Sequence, residues 1–141
     1  MSDTETHDGA QSGGCLCGQV RYRFSGAPLL TAVCHCRHCQ KQGGSAFSVV
    51  CAIPAAAYEQ SGETRIFADR GESGKGVARH FCPDCGSPII SVAEALPDMV
   101  IVKAGTMDDF AAVRPDAEAY CDSALSWLPV LAPTRFPRSN I

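Results

Sequence analysis

Seven of the nine cysteines in this 141-residue chain fall into three tight clusters. They are Cys15-Leu16-Cys17, Cys34-His35-Cys36-Arg37-His38-Cys39 and Cys82-Pro83-Asp84-Cys85. Thiolates at these spacings are zinc ligands, so the chain is expected to fold around metal. The clusters are unequal. Two pairs and a triplet make one closed four-sulfur site and a second site that is one ligand short. A structural zinc is enclosed by four protein ligands, whereas a catalytic zinc keeps a position for water or substrate. Two zinc ions per chain, with different work, are therefore expected.

The length suits one domain with a core of ordinary size. Residues 1–13 are polar, with Asp3, Glu5 and Asp8, and read as a flexible tail. Residues 14–141 read as a single zinc-binding domain. The tail lacks the basic start and apolar run of a secretory signal, which points to the cytoplasm. In a reducing compartment clustered cysteines favour metal or catalysis over disulfides, and an odd cysteine count suits a disulfide framework poorly. A formal charge of −3 and a pI near 5.7 argue against a nucleic-acid partner. The longest apolar runs, at 88–93 and 99–102, are strand-sized, so no membrane span is expected.

Short strands dominate the pattern. Val20, Tyr22 and Phe24 alternate with Arg21 and Arg23, as in a half-buried strand. Residues 29–33, 46–53, 64–68, 77–81, 87–92, 99–104 and 118–121 read as further strands. Pro54 opens one or two helical turns, and residues 71–76 form a glycine-rich loop. Beyond Leu128, Pro129, Pro133 and Pro137 make the chain extended. The fold class is mainly β with short helical pieces.

Cys17 precedes Gly18 and Cys85 precedes Gly86. Glycine there permits positive φ, so the chain can fold tightly around a metal. Cys15, Cys17, Cys82 and Cys85 are thus the candidate ligands of a closed structural zinc, a knuckle tying the N-terminal strand to mid-chain. Cys39 precedes Gln40 instead. Residues 36–42 read as a short helix stopping at Gly43-Gly44, with Cys36 and Cys39 on one face. Cys34, Cys36 and Cys39 are the candidate ligands of a catalytic zinc. Water, an external thiol or His38 could complete that site; alternatively His35 or His38 closes it as a second structural zinc. Cys51 lies in an apolar run and reads as a core residue. Cys121 has no local partner, and His80, beside the last pair, reads as structural.

The motifs Gly14-Cys15-Leu16-Cys17-Gly18-Gln19-Val20-Arg21-Tyr22, Cys34-His35-Cys36-Arg37-His38-Cys39 with Gly43-Gly44-Ser45, and Phe81-Cys82-Pro83-Asp84-Cys85-Gly86-Ser87 resemble the glutathione-dependent formaldehyde-activating enzyme family. That family also has a centromere protein V branch. The resemblance implies a β-tent fold, in which two β-sheets lean together near a structural zinc. It implies that Cys15, Cys17, Cys82 and Cys85 hold that zinc and that Cys34, Cys36 and Cys39 hold the catalytic one. The activity it implies is condensation of formaldehyde with glutathione, formally a carbon–sulfur lyase in reverse.

The leading functional expectation is a zinc-dependent carbon–sulfur lyase-type enzyme acting on adducts of aldehydes with glutathione or another small thiol. Coordination would deprotonate the thiol, and Arg37 and Lys41 could attract a substrate carboxylate. Two alternatives stay open: a non-catalytic zinc-stabilised binding module, and a thiol- or zinc-responsive sensor using the triplet as releasable thiolates.

Overall fold

The computed structural model describes residues 9–138. Eleven strands and one helix make up the described chain, joined by turns and short 3-10 segments. The strands are β1 (Ala10–Gly14), β2 (Arg21–Ser25), β3 (Leu30–Cys34), β4 (Ser48–Pro54), β5 (Tyr58–Ser61), β6 (Arg65–Arg70), β7 (Gly76–Phe81), β8 (Pro88–Ala93), β9 (Met99–Lys103), β10 (Ala117–Ala119) and β11 (Thr134–Arg135), with helix α1 at Arg37–Gly43. Two sheets result, ordered β1-β2-β5 and β11-β10-β3-β4-β9-β8-β7-β6. Most pairings are antiparallel; β10 runs parallel to both β3 and β11. This is the mainly β, two-sheet class expected from the sequence.

Period-two alternation sorts the large sheet into two faces. Cys51, Ile53, Val100 and Val102 join Tyr22 and Phe24 of the small sheet, and Val20 just before it, in one buried cluster. The alternate positions of β3, β4 and β9 include Ala32, Val50, Ala52, Ile101 and Lys103, which line a cavity instead. One face of the sheet thus packs into the core and the other lines the cavity.

Two segments differ from the sequence reading. Ala10–Gly14 forms β1, paired with β2 along its whole length, so the polar tail gives way to strand before residue 13. Its composition of small and polar residues hid a strand that rests on backbone pairing. Residues 1–8 of the expected tail lie outside the described residues. Tyr58–Ser61 forms β5 against β2, where only a helical turn and a bend were expected. The helical turn is present but brief, at Ala55–Ala57.

Candidate metal centres

Cys15 and Cys17 sit in the turn between β1 and β2, and Cys82 and Cys85 in the turn between β7 and β8. Both turns close in the same way. Gly18 N–H donates to Cys15 O at 3.2 Å and Gly86 N–H to Cys82 O at 2.9 Å. Gly18 and Gly86 have φ of 85° and 81°, a conformation that side chains with a Cβ rarely adopt. Backbone N–H groups then point at sulfur: Val20 N to Cys15 Sγ at 3.2 Å and Asp84 N to Cys82 Sγ at 3.4 Å. The two turns are tied by Ser87, whose hydroxyl accepts from Leu16 N at 3.0 Å and lies 3.2 Å from Cys85 Sγ. That hydroxyl is the first cause holding the Cys85 thiol down to about 5.

The four sulfurs converge within 4.8 Å of one another. Cys15 and Cys17 sulfurs are 3.6 Å apart, and those of Cys17 and Cys82 3.8 Å. A tetrahedral zinc with bonds of about 2.3 Å separates its sulfurs by about 3.8 Å. The donor set therefore fits such an ion.

The triplet is built differently. Cys34 ends β3, Cys36 caps α1, and Cys39 lies within the helix. The Cys36 sulfur accepts from Cys39 N at 3.2 Å. Gly44, in the left-handed conformation, stops the helix by donating to Gln40 O. Cys34, Cys36 and Cys39 bring their sulfurs within 4.8 Å of one another, and among the described residues no fourth cysteine, histidine or carboxylate joins them. Hydrogen bonds from Cys34 and then Cys36 hold the Cys39 thiol far down against the cost of burial, with help from the charges of Lys103 and Arg79. Sharing with Cys36 and Cys39, together with burial, pushes Cys34 up.

The histidines weighed as alternative closing ligands of the triplet are engaged elsewhere. His35 is fully buried and donates through Nε2 to Glu118 Oε1 at 2.8 Å. Glu118, Cys121 and His35 form a separate tight group. Burial raises the Glu118 carboxyl, but the bonds from His35, Leu131 N and Ala132 N and the charge of Arg135 together bring it below the usual carboxylate range. His38 pairs through Nδ1 with Asp69, whose carboxylate also accepts from Arg79 Nε at 2.8 Å. His80 meets the Thr64 hydroxyl at 2.8 Å. Cys51 lies in the core, as expected.

Two cavities flank α1. An open groove of about 870 Å³ is lined by Arg37 and Lys41, with Arg65, Ile66 and Phe67 of the edge strand β6. A second cavity, of about 290 Å³, holds Cys34, Cys36 and Cys39 on its wall together with Lys103 and Ser91. Arg79 borders both. The expected residues Arg37 and Lys41 thus face the outer groove, while the cations beside the sulfurs are Arg79 and Lys103. Sequence reading missed these two. Arg79 alternates with Val77 and Phe81 as an ordinary strand residue would; Lys103, at the end of an apolar run, carried a faint signal as a cation where burial was expected.

A family model for glutathione-dependent formaldehyde-activating enzymes matches residues 10–123. No curated protein matches. Among solved structures, a crystal structure of a Rhodobacter sphaeroides protein superposes with a TM-score of 0.55 at 16% identity, covering 70% of this chain and 88% of that one. At that identity the likeness speaks for the fold alone. With the family match spanning most of the chain and both cysteine clusters assembled inside it, the chain belongs to the glutathione-dependent formaldehyde-activating enzyme family.

Proposed function

We propose that the protein is a zinc-dependent carbon–sulfur lyase-type enzyme that makes and breaks adducts between aldehydes and a small thiol such as glutathione. The observation that carries this reading is the triplet: three converging thiols, no fourth protein ligand among the described residues, and a cavity against them. That is the ligand count of a catalytic site rather than an enclosed one.

Cys15, Cys17, Cys82 and Cys85 would hold one zinc for the fold, and Cys34, Cys36 and Cys39 a second for the chemistry. Soft thiolate donors suit zinc. The second ion would hold an incoming thiol as thiolate. The chain's own residues supply the rest. Lys103 and Arg79 offset the negative charge that collects on three thiolates. Arg37 and Lys41, exposed in the first and last turns of α1, offer cations to the carboxylates of a glutathione lying in the outer groove. His35 and Glu118 anchor the loop between Cys34 and Cys36 from behind.

The test is exchange spectroscopy by NMR on the zinc-loaded protein with glutathione and formaldehyde, then other aldehydes. The expected result is faster interconversion of free thiol and adduct than in buffer. Equal rates with every aldehyde would refute the reading.

A further inference from the structure

The cavity beside the triplet is larger and more apolar than a one-carbon substrate needs. We propose that it receives the carbon side of an aldehyde bearing an apolar chain of several carbons, with the carbonyl oxygen held by Lys103 and Ser91. This rests on the reading above that the triplet metal takes a thiol.

The strand registers lay out the cavity floor. Cys34 lies opposite Ser48. In the next row, Ala32 lies opposite Val50, and Val50 opposite Lys103. One row further, Ala52 faces Ile101, Ile101 faces Ser91, and Ser91 faces Arg79. Moving away from the sulfurs, the floor therefore has an aliphatic half, Ala32, Val50, Ala52 and Ile101, beside a polar half, Lys103, Ser91 and Arg79. Ala93 and Ala119 extend it on either side. Alanine at these positions leaves the space open. Liquid water takes about 30 Å³ per molecule, and formaldehyde is of comparable size, so it would leave most of the roughly 290 Å³ unfilled.

Among the described residues, two donors in this chamber lack sufficient partners. Ser91 Oγ is buried with no hydrogen bond. Lys103 is 6% exposed, and its ammonium makes one hydrogen bond, to Ser48 Oγ at 3.0 Å. An ammonium carries three donors, and buried polar groups are nearly always satisfied. Ser91 and Lys103 are diagonal neighbours across β8 and β9, a spacing of roughly 7 Å that long side chains span. An oxygen between them would satisfy both. The arrangement suits an aldehyde: one acceptor oxygen between Lys103 and Ser91, and an aliphatic chain against Ala52 and Ile101 in the same cavity.

The step balances without a further reagent. Thiolate sulfur bonds to the carbonyl carbon, and the C=O π pair moves onto oxygen. That oxygen takes a proton from Lys103. The proton lost when the thiol ionised returns to the lysine. The net change is thiol plus aldehyde to hemithioacetal, and the reverse splits the adduct.

The experiment uses the zinc-loaded full chain. With saturating glutathione, kcat/KM for hexanal should exceed that for formaldehyde by roughly tenfold or more, since each methylene in an apolar pocket discriminates by about that factor. Ala52→Phe should lower the hexanal-to-formaldehyde ratio at least fivefold. Because that variant risks the strand, binding is read separately on the parent and on Lys103→Met. Calorimetry with hexanamide, an unreactive carbonyl isostere, should show binding to the parent and at least tenfold weaker binding to Lys103→Met. A preference for formaldehyde, or no hexanamide binding to a protein whose triplet metal does take glutathione, would overturn this inference alone. Failure of any thiol to reach that metal would overturn it together with the reading on which it rests.

Discussion

His35 Nε2 donates to Glu118 Oε1 at 2.8 Å, and both side chains are fully buried. The pair joins the loop between Cys34 and Cys36 to β10, which already lies parallel to β3 with Ala119 opposite Cys34. Glu118 also accepts from Leu131 N and Ala132 N at 2.7 and 3.1 Å. One carboxylate therefore ties the triplet loop, the last strands and the C-terminal segment together.

Glu118→Gln should cost about 2 kcal/mol at neutral pH, the scale of hydrogen bonds to a charged group. Its pH dependence follows from the lowered carboxyl. A group whose folded pKa lies below its ordinary 4.5 contributes stability above that value and loses it as pH falls through the folded pKa. The gap between parent and variant in denaturant melts should thus be full above about pH 5 and narrow as pH falls further. A gap that widens in acid would contradict this role for the buried carboxylate.

Cys82→Ser should remove the four-thiol metal and unfold the domain. Cys82 is fully buried between β7 and β8, and its site joins chain ends 65 residues apart. Structural zinc contributes about 10–16 kcal/mol in small domains, comparable to the whole stability of a typical one. Metal analysis should fall from two ions per chain, with loss of the cooperative melt. A folded variant with undiminished melting temperature would refute the assignment.

Cys36→Ser should behave differently. All three triplet ligands lie within six residues, so their metal closes little chain, and the entropy it removes from the unfolded state is small. Circular dichroism should remain near that of the parent while one of the two metals is lost. Global unfolding would instead mark the triplet as a second structural site.

Reversing the charges of the outer groove should raise KM for glutathione. Arg37→Glu with Lys41→Glu should raise it about tenfold and leave kcat within about twofold, as expected where binding rather than the transition state is affected. Cysteamine, which lacks carboxylates, should show no such rise. Equal effects on both thiols would place the carboxylates elsewhere.

Much of this was legible in the sequence for a physical reason: metal ligands are few in type and fixed in spacing. The cysteine partition, the glycine after each closing cysteine and the stop of α1 at Gly43-Gly44 all follow from local chemistry. Ala10–Gly14 was hidden because its pairing with β2 is backbone bonding with little side-chain signature. Lys103 and Ser91 escaped because register, not local sequence, carries them to the triplet. Glu118 lies 83 residues from His35, and no periodicity reveals a pairing at that distance.

The most direct measurement is the electronic spectrum of the protein with cobalt at the triplet, titrated with glutathione. Cys36→Ser identifies which bands belong to that site. An open fourth position predicts that one equivalent of glutathione strengthens the thiolate-to-cobalt charge transfer, because sulfur replaces an oxygen ligand. A spectrum unchanged by any thiol, with bands already those of four protein ligands, would contradict the account.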